Sequence, residues 1–382
     1  MGLAPALLAS GALTSDWLPT FEAVPRHLFV PDRIWPGKAG GAVQAEQVVS
    51  RADDPDAWWE AVNSDIPLTF QWDDGEHTGN AKGTTPSSSS SMPTMVVSML
   101  ADLDVDAGMR VLEVGTGTGW NAALLAHRLG DENVVTIEVD ADVSAAAATR
   151  LERAGLNPRL VVGDGGAGLA NLGQFDRLEA TCSIARVPAP WLELVRPGGL
   201  VVSPLGTEYG GEAVVRLAVR EDGTAVGRFT RSSAFMRMRQ QRSTRPPLAA
   251  YLKGKSWPAD GERSFTRLSP ADTGDWIDQF AIGLQVRGCF WRAERYRDGS
   301  YTLWLYSTDT ASWATADWEA ERTTYEVVQS GPRRLWDEVE TAWRWWNAAG
   351  RPDFERFGLT VTPDGHTPWL DDPANTLPQF GK

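Results

Sequence analysis

The 382-residue chain is poor in groups for metal or disulfide chemistry, with two cysteines, Cys182 and Cys289, and four histidines. The cysteines stand far apart in sequence, giving neither a metal-ligand spacing nor a disulfide framework, and this usage fits a reducing cytoplasm. His77 and His366 fall in loop or turn sequence without a ligating partner, so no metal is expected. No apolar run approaches the length of a membrane span, and no membrane partner is expected. No Lys or Arg precedes Arg26, so MGLAPALLASGAL reads as a helix ending near Gly11 rather than a signal peptide. Positive charge is also short, with 36 Lys+Arg against 50 Asp+Glu and a net charge of −14. An acidic chain repels phosphate backbones, so nucleic acid is not an expected partner. The deficit lies mainly in the first 240 residues, with 19 basic and 30 acidic side chains, against 17 and 20 from residue 241 on.

What the chain does have is organised around Val111–Trp120, VLEVGTGTGW. An apolar run ends in an acid and then in three spaced glycines, the pattern of a buried parallel strand that turns under a ligand and feeds a helix. From residue 109 to 206 strand and helix alternate: MRVLEVG, NAALLAHRL, NVVTIEVD, ADVSAAAATRLERAG, LNPRLVVGDG, DRLEATCSI, PAPWLELV and LVVSPLG. That rhythm predicts a doubly wound α/β fold with a parallel sheet. EAVVRLAVRE and TAVGRFTR, joined at Asp222–Gly223, close it as an antiparallel hairpin.

Before this core, residues 3–24 read as two short helices. The polar stretch QWDDGEHTGNAKGTTP reads as a long loop running into the serine run Ser87–Ser91, and MPTMVVSMLADL as a helix. Residues 241–270 are rich in Pro, Gly and basic side chains and read as a linker between a domain at 1–240 and an α+β domain at 271–382. Of the 18 tryptophans, 11 follow residue 240. FAIGLQV, CFWRAERY and SYTLWLYS read as strands there, and FGLTVTPDGHTPWL as a terminal hairpin. PRRLWDEVETAWRWWNAAG reads as a helix whose stripe of Leu335, Trp336, Val339, Trp343 and Trp346 is core, although so many tryptophans also suit a binding surface.

Glu138 ends the second strand about twenty residues after the glycine turn, where an acid can accept both hydroxyls of a ribose. Asp164, between Gly163 and Gly165, ends the third, where a side chain and neighbouring amides can read an adenine edge. GTGTGW lacks the last glycine of a pyrophosphate fingerprint and has no Lys, which disfavours NAD and ATP. S-adenosylmethionine, with ribose and adenine but no phosphate, fits. Gly115, Thr116, Gly117, Gly119, Glu138, Val139, Gly163, Asp164 and Gly165 are the expected cofactor residues, and Glu113 either caps the turn or touches the methionine end.

VPRHLFVP, DIPL, S-S-M-P, VLEVGTGTGW, IEVD, GDG, FDRLEAT and PGGLVVSPLG, in that order over roughly residues 20–235, resemble the protein-L-isoaspartate O-methyltransferase family. The resemblance implies a class I S-adenosylmethionine-dependent fold and methyl transfer to a side-chain or α-carboxylate of an abnormal aspartyl residue. It puts the family's catalytic serine on Ser91, with Ser90 and Ser89 beside it, and brings Asp65, Ile66 and Thr94 near the substrate. Departures are Ser89 for a threonine, Thr94 for a histidine, Leu194 for a glutamine, an insertion after DIPL, and the long C-terminal extension. They resemble a branch that tailors ribosomally made, cyclised peptides beside ATP-grasp ligases (graspetides) or lanthipeptide synthetases. That branch implies a modified precursor peptide as partner and an aspartyl ester that closes to a succinimide, or aspartimide. General isoaspartate repair and a cofactor-binding peptide chaperone without transfer activity are the alternatives. A carboxylate is already ionised at neutral pH, so such chemistry needs alignment and water exclusion rather than a strong base.

Overall fold

In a computed structural model, residues 2–38, 45–167 and 169–381 are described. Helices α1 (Leu3–Ala9) and α2 (Leu18–Ala23) lead into a small antiparallel sheet, ordered β2-β1-β3-β4, of β1 (Arg33–Pro36), β2 (Val49–Ser50), β3 (Leu68–Trp72) and β4 (Pro86–Ser90). Helix α3 (Pro55–Val62) packs on it through Trp58, which is fully buried. All of the serine run but Ser91 is thus strand: Ser90 pairs with Leu68 and Ser89 with Thr69. The helix begins two residues after the run, with α4 (Pro93–Leu103), where proline's fixed φ and missing N–H are tolerated. The expected long loop is shortened at both ends by β3 and β4, and Asp73 ties it by accepting from the N–H groups of Thr84 and Thr85 at 3.0 and 2.7 Å.

The main sheet carries β5 (Val111–Val114), α5 (Trp120–Leu129), β6 (Val134–Glu138), α6 (Ala141–Arg153), β7 (Arg159–Val162), β8 (Phe175–Ala180), α7 (Ala189–Leu194), β9 (Val195–Gly206), β10 (Glu212–Val219) and β11 (Ala225–Ser232). Strand β5 lies between β6 and β8, both parallel to it. The chain winds one way from β5 and then the other, and the crevice at such a reversal is where open α/β sheets bind ligands. Alternate side chains serve opposite faces: Leu112, Val135, Val201 and Val215 enter one core, Val111, Val134, Val202 and Val214 the other.

Beyond α8 (Leu248–Leu252) comes a five-stranded antiparallel sheet of β12 (Glu262–Thr266), β13 (Cys289–Arg295), β14 (Tyr301–Ser307), β15 (Trp313–Trp318) and β16 (Tyr325–Ser330). Between β12 and β13 lies α9 (Trp276–Gly283). The sequence reads FAIGLQV as a strand, but its first four residues finish this helix. Phe280, Ala281 and Ile282 are wholly buried, and an apolar run buried all round shows no period that tells helix from strand. Helix α10 (Leu335–Ala348) puts Leu335, Trp336, Val339 and Ala342 into the core of the second sheet and Trp346 into that of the main sheet. Its tryptophans are therefore mainly core; Trp343 and Trp345 are partly buried.

Two boundaries differ from the expected division. Strand β12 starts at Glu262, inside the expected linker, and pairs with β16. The terminal hairpin of β17 (Phe357–Thr362) and β18 (Gly365–Leu370) extends the main sheet, β17 pairing with β11, rather than the second one. The chain leaves the first sheet and returns to it, which local sequence cannot signal.

Candidate active site

The turn after β5 is forced into shape. Gly115 has φ +104°, and a Cβ there would stand 2.7 Å from the Thr181 hydroxyl. Gly117 has φ +53° and faces β4, its absent Cβ pointing toward Ser89 O at 3.5 Å. Only glycine takes both the left-handed backbone and the close approach without strain. The N–H groups of Gly115 and Thr116 donate to Ile137 O at 2.8 and 3.2 Å. Glu138 Oε2 accepts from Gly117 N–H at 3.0 Å and Oε1 from Asp140 N–H at 3.1 Å, so the acid that ends β6 also holds the turn after β5.

A cavity of about 1110 Å³ opens over these strand ends. Of the expected cofactor residues, Gly115, Thr116, Gly117, Glu138, Val139, Gly163 and Gly165 line it, and so do Ser89, Ser90 and Ser91. Val139, 37% exposed, offers apolar surface beside Glu138. The other expected residues stand off the wall. Gly119 starts α5, and a Cβ there would meet Ala147 and Leu151 of α6 at 3.4 Å. Asp164 turns its carboxylate onto Gly166 N–H at 2.8 Å, leaving Gly163 and Gly165 at the cavity.

Glu113 is fully buried under the turn and is not among the residues that line this cavity. Its Oε1 accepts from Asn121 Nδ2 at 2.8 Å and Oε2 from the Thr136 hydroxyl. The same Asn121 Nδ2 donates to Glu179 Oε2 at 2.8 Å. Burial pushes the Glu113 carboxyl up to about 8 and the Glu179 carboxyl up to about 7. Asn121 and Glu179 line the cavity, and Asn121 Oδ1 is buried without a partner among the described residues. Sequence reasoning passed over both residues: Glu179 lies within FDRLEAT and Asn121 two residues after Gly119, but nothing in their spacing shows that they meet.

The substrate residues expected from the resemblance are not at the cavity. Asp65 accepts from the N–H of Thr94 at 2.8 Å and from its hydroxyl at 2.5 Å, so the two cap the start of α4 for each other. Ile66 supplies a carbonyl to Arg26 at 2.9 Å. Arg26, 4% exposed, donates to the carbonyls of Val62, Ser64, Ile66, Ser90 and Ser91 and to the Ser90 hydroxyl. Burial lowers its guanidinium to about 9. The serine strand is therefore pinned from behind by Arg26, and Ser90 spends its hydroxyl on that support rather than on a ligand. VPRHLFVP carried the signal: a cation inside an apolar patch between two prolines has to be buried and paired.

The wall opposite the turn comes from the segment after β11. Residues 232–240 and Arg242, Ser243 and Arg245 line it. Arg239 ties this segment down through Asp74 and Asp140, each at 3.0 Å. Among the described residues, no cluster of three or more His, Cys, Asp and Glu side chains could hold a metal ion, and no helix is long and apolar enough to cross a membrane.

Comparison with known proteins places the resemblance on named relatives. Residues 55–243 match the family model of protein-L-isoaspartate(D-aspartate) O-methyltransferase. The chain is 38% identical over 135 residues to the protein-L-isoaspartate O-methyltransferase of Pyrococcus horikoshii, covering 35% of this chain and 61% of that one. Against the enzyme of the same name from Thermotoga maritima it is 30% identical over 177 residues, covering 46% and 53%. The matches thus span between half and two thirds of these relatives' length. A solved structure titled protein-L-isoaspartate O-methyltransferase superposes over 97% of this chain and 99% of its own, with a TM-score of 0.53 and 21% identity. The fold, C-terminal extension included, is one that structure shares.

Proposed function

We propose that this chain, whose residues 55–243 match the protein-L-isoaspartate(D-aspartate) O-methyltransferase family model, is an S-adenosylmethionine-dependent methyltransferase acting on the carboxylate of an isoaspartyl or aspartyl residue in a protein or peptide. The observation that carries the reading is the approach of two elements within one cavity: β4, with its serines, lies over the glycine turn, Ser89 O 3.5 Å from where a Gly117 Cβ would stand. The residues fit the cofactor. Glu138 keeps free lone pairs for a ribose, Val139 offers apolar surface for a base, and no Lys or Arg lies in the turn to call for phosphate.

S-adenosylmethionine supplies an electrophilic methyl group. The chain's own residues bind, orient and exclude water. The turn after β5 and Glu138 hold the cofactor; Ser91 and the amides of the serine strand orient the substrate carboxylate without neutralising it. The carboxylate oxygen accepts the methyl, and no proton moves. The product ester is then open to attack by the next backbone nitrogen, which expels methanol and forms a succinimide.

The finer reading, tailoring of a cyclised ribosomal peptide, draws support from Ser89 and Thr94 in place of the family's threonine and histidine. The C-terminal extension does not separate the two, since a solved structure of the same title spans it. An intact-mass assay with S-adenosylmethionine decides. A methyl gained on any isoaspartyl peptide supports repair, whereas net loss of water on one cross-linked aspartyl peptide alone supports tailoring. Cofactor binding with no product on either would leave a peptide chaperone.

A further inference from the structure

Two cavity residues lie beyond the stretch that matches the family model. Trp276, the first residue of α9, is 42% exposed, and its indole N–H donates to Glu212 O at 3.3 Å, which fixes the ring at the wall. Arg245 also lines the cavity and is exposed, its guanidinium 5.7 Å from the ring centroid of Phe290 in the second sheet.

The basic side chains that line the cavity differ in one respect. Lys82 pairs with Glu46 at 2.6 Å. Arg237 donates to Gly206 O at 2.9 Å and stands in the field of Glu212 and Glu208. Arg239 pairs with Asp74 and Asp140, and Arg242 with Asp74 at 2.7 Å. Arg245 makes no ion pair and donates no hydrogen bond among the described residues. Its aromatic neighbour orients the stem while the N–H fork stays available. Arg237 stands close enough to repel it, and the rim acid Glu208 faces Arg237 and accepts from the Ser243 hydroxyl at 2.7 Å rather than pairing with Arg245.

We propose that Arg245 and Trp276 form a specificity subsite that selects peptides carrying a second carboxylate close to the residue being methylated, with the Trp276 ring covering the intervening backbone. The proposal rests on the carboxyl-methyltransferase reading. A guanidinium paired with the acceptor itself would blunt that carboxylate's nucleophilicity, so an unpaired arginine at the wall suits a neighbouring acid. Planar, bidentate pairing is what Arg does best with a carboxylate.

The test uses the full chain and a panel of isoaspartyl and aspartyl peptides, identical except for Glu or Gln at each position flanking the acceptor. For at least one position the Glu peptide should exceed its Gln twin about fivefold in kcat/KM, through KM, with the ratio shrinking at high salt. Arg245→Gln should bring the ratio to about one, Arg245→Lys should retain part of it, and Trp276→Ala should raise KM for both twins. A ratio of one at every position in the unmodified chain, or a ratio that survives Arg245→Gln, overturns the subsite. If no peptide of either kind is methylated while calorimetry shows S-adenosylhomocysteine bound, the carboxyl-methyltransferase reading itself fails and the subsite with it.

Discussion

Glu138 accepts the backbone N–H of Gly117 at 3.0 Å, which makes the end of β6 and the turn after β5 a single unit. A ligand held by one is held by both. Glu138→Gln keeps the size but trades one carboxylate oxygen for an amide. S-adenosylhomocysteine affinity is expected to weaken about tenfold or more, since a charge-assisted bond is lost. Calorimetry reads this directly, and an unchanged Kd would remove Glu138 from the ribose site.

The serine run divides into a support and a working face. Ser90 accepts from Arg26 Nε at 3.2 Å and is 2% exposed, whereas Ser91 is half-buried at the cavity. Ser90→Ala should cost about 1–2 kcal/mol of stability, because a buried guanidinium N–H loses its acceptor. Ser91→Ala should leave the melting temperature nearly unchanged, with cofactor affinity intact and kcat/KM lowered about tenfold or more. Equal loss of stability in both variants would contradict this division.

The buried acids under the turn set a pH dependence. Glu113 and Glu179 have folded-state carboxyls near 8 and 7, raised by burial from an ordinary value of 4.5. The folded chain therefore binds more protons than the unfolded chain between those limits. Their contribution to stability is fully present below about pH 4.5 and is lost as pH rises through 7 to 8. Urea midpoints should fall from pH 6 to pH 8, and Glu113→Gln, whose oxygen still accepts from Asn121 while its NH2 donates to a turned Thr136 hydroxyl, removes the charge and should flatten the decline. A slope identical in the variant would contradict the assignment.

His366 works in the opposite direction. Its Nε2 accepts from Val187 N–H at 3.1 Å, tying the terminal hairpin to the segment that precedes α7. Burial, then the nearby Arg287, lowers the ring from 6.5 to about 4. The folded state favours the neutral ring, so this contribution is present above pH 6.5 and lost as pH falls toward 4. Hydrogen-exchange protection factors in residues 357–370, which already allow for the slower intrinsic exchange in acid, should be smaller at pH 4.5 than at pH 7, and His366→Gln should weaken that dependence. No difference between the two pH values would break the link.

Much of the main sheet was legible from residue order. Strands β5 and β6 are short, largely apolar runs ended by glycine or acid punctuation, and Asp140 and Pro93 mark helix starts that local chemistry alone requires. The glycine turn and Glu138 were legible for the same reason, since spacing along two adjacent parallel strands translates directly into proximity. The roles of Asn121 and Glu179 were not, nor were the partners of Arg26, whose burial VPRHLFVP does signal, because those partners lie 8 to 65 residues away and the contacts are a property of the packed chain. Asp65 and Thr94 were read as substrate residues from their place in a motif, yet they spend their polar atoms on each other.

The sequence by itself determined the period-2 and period-3.6 patterns, the turn that only glycine can make, and the acid placed to meet it, because these depend on a few neighbouring residues and on backbone sterics. The tertiary structure alone decided that the terminal hairpin returns to the first sheet, that the serine strand is held from behind by Arg26, and that Arg245 and Trp276 complete the cavity. Each of those joins segments far apart in the chain, and burial and electrostatic pairing between such segments exist only once the chain has folded.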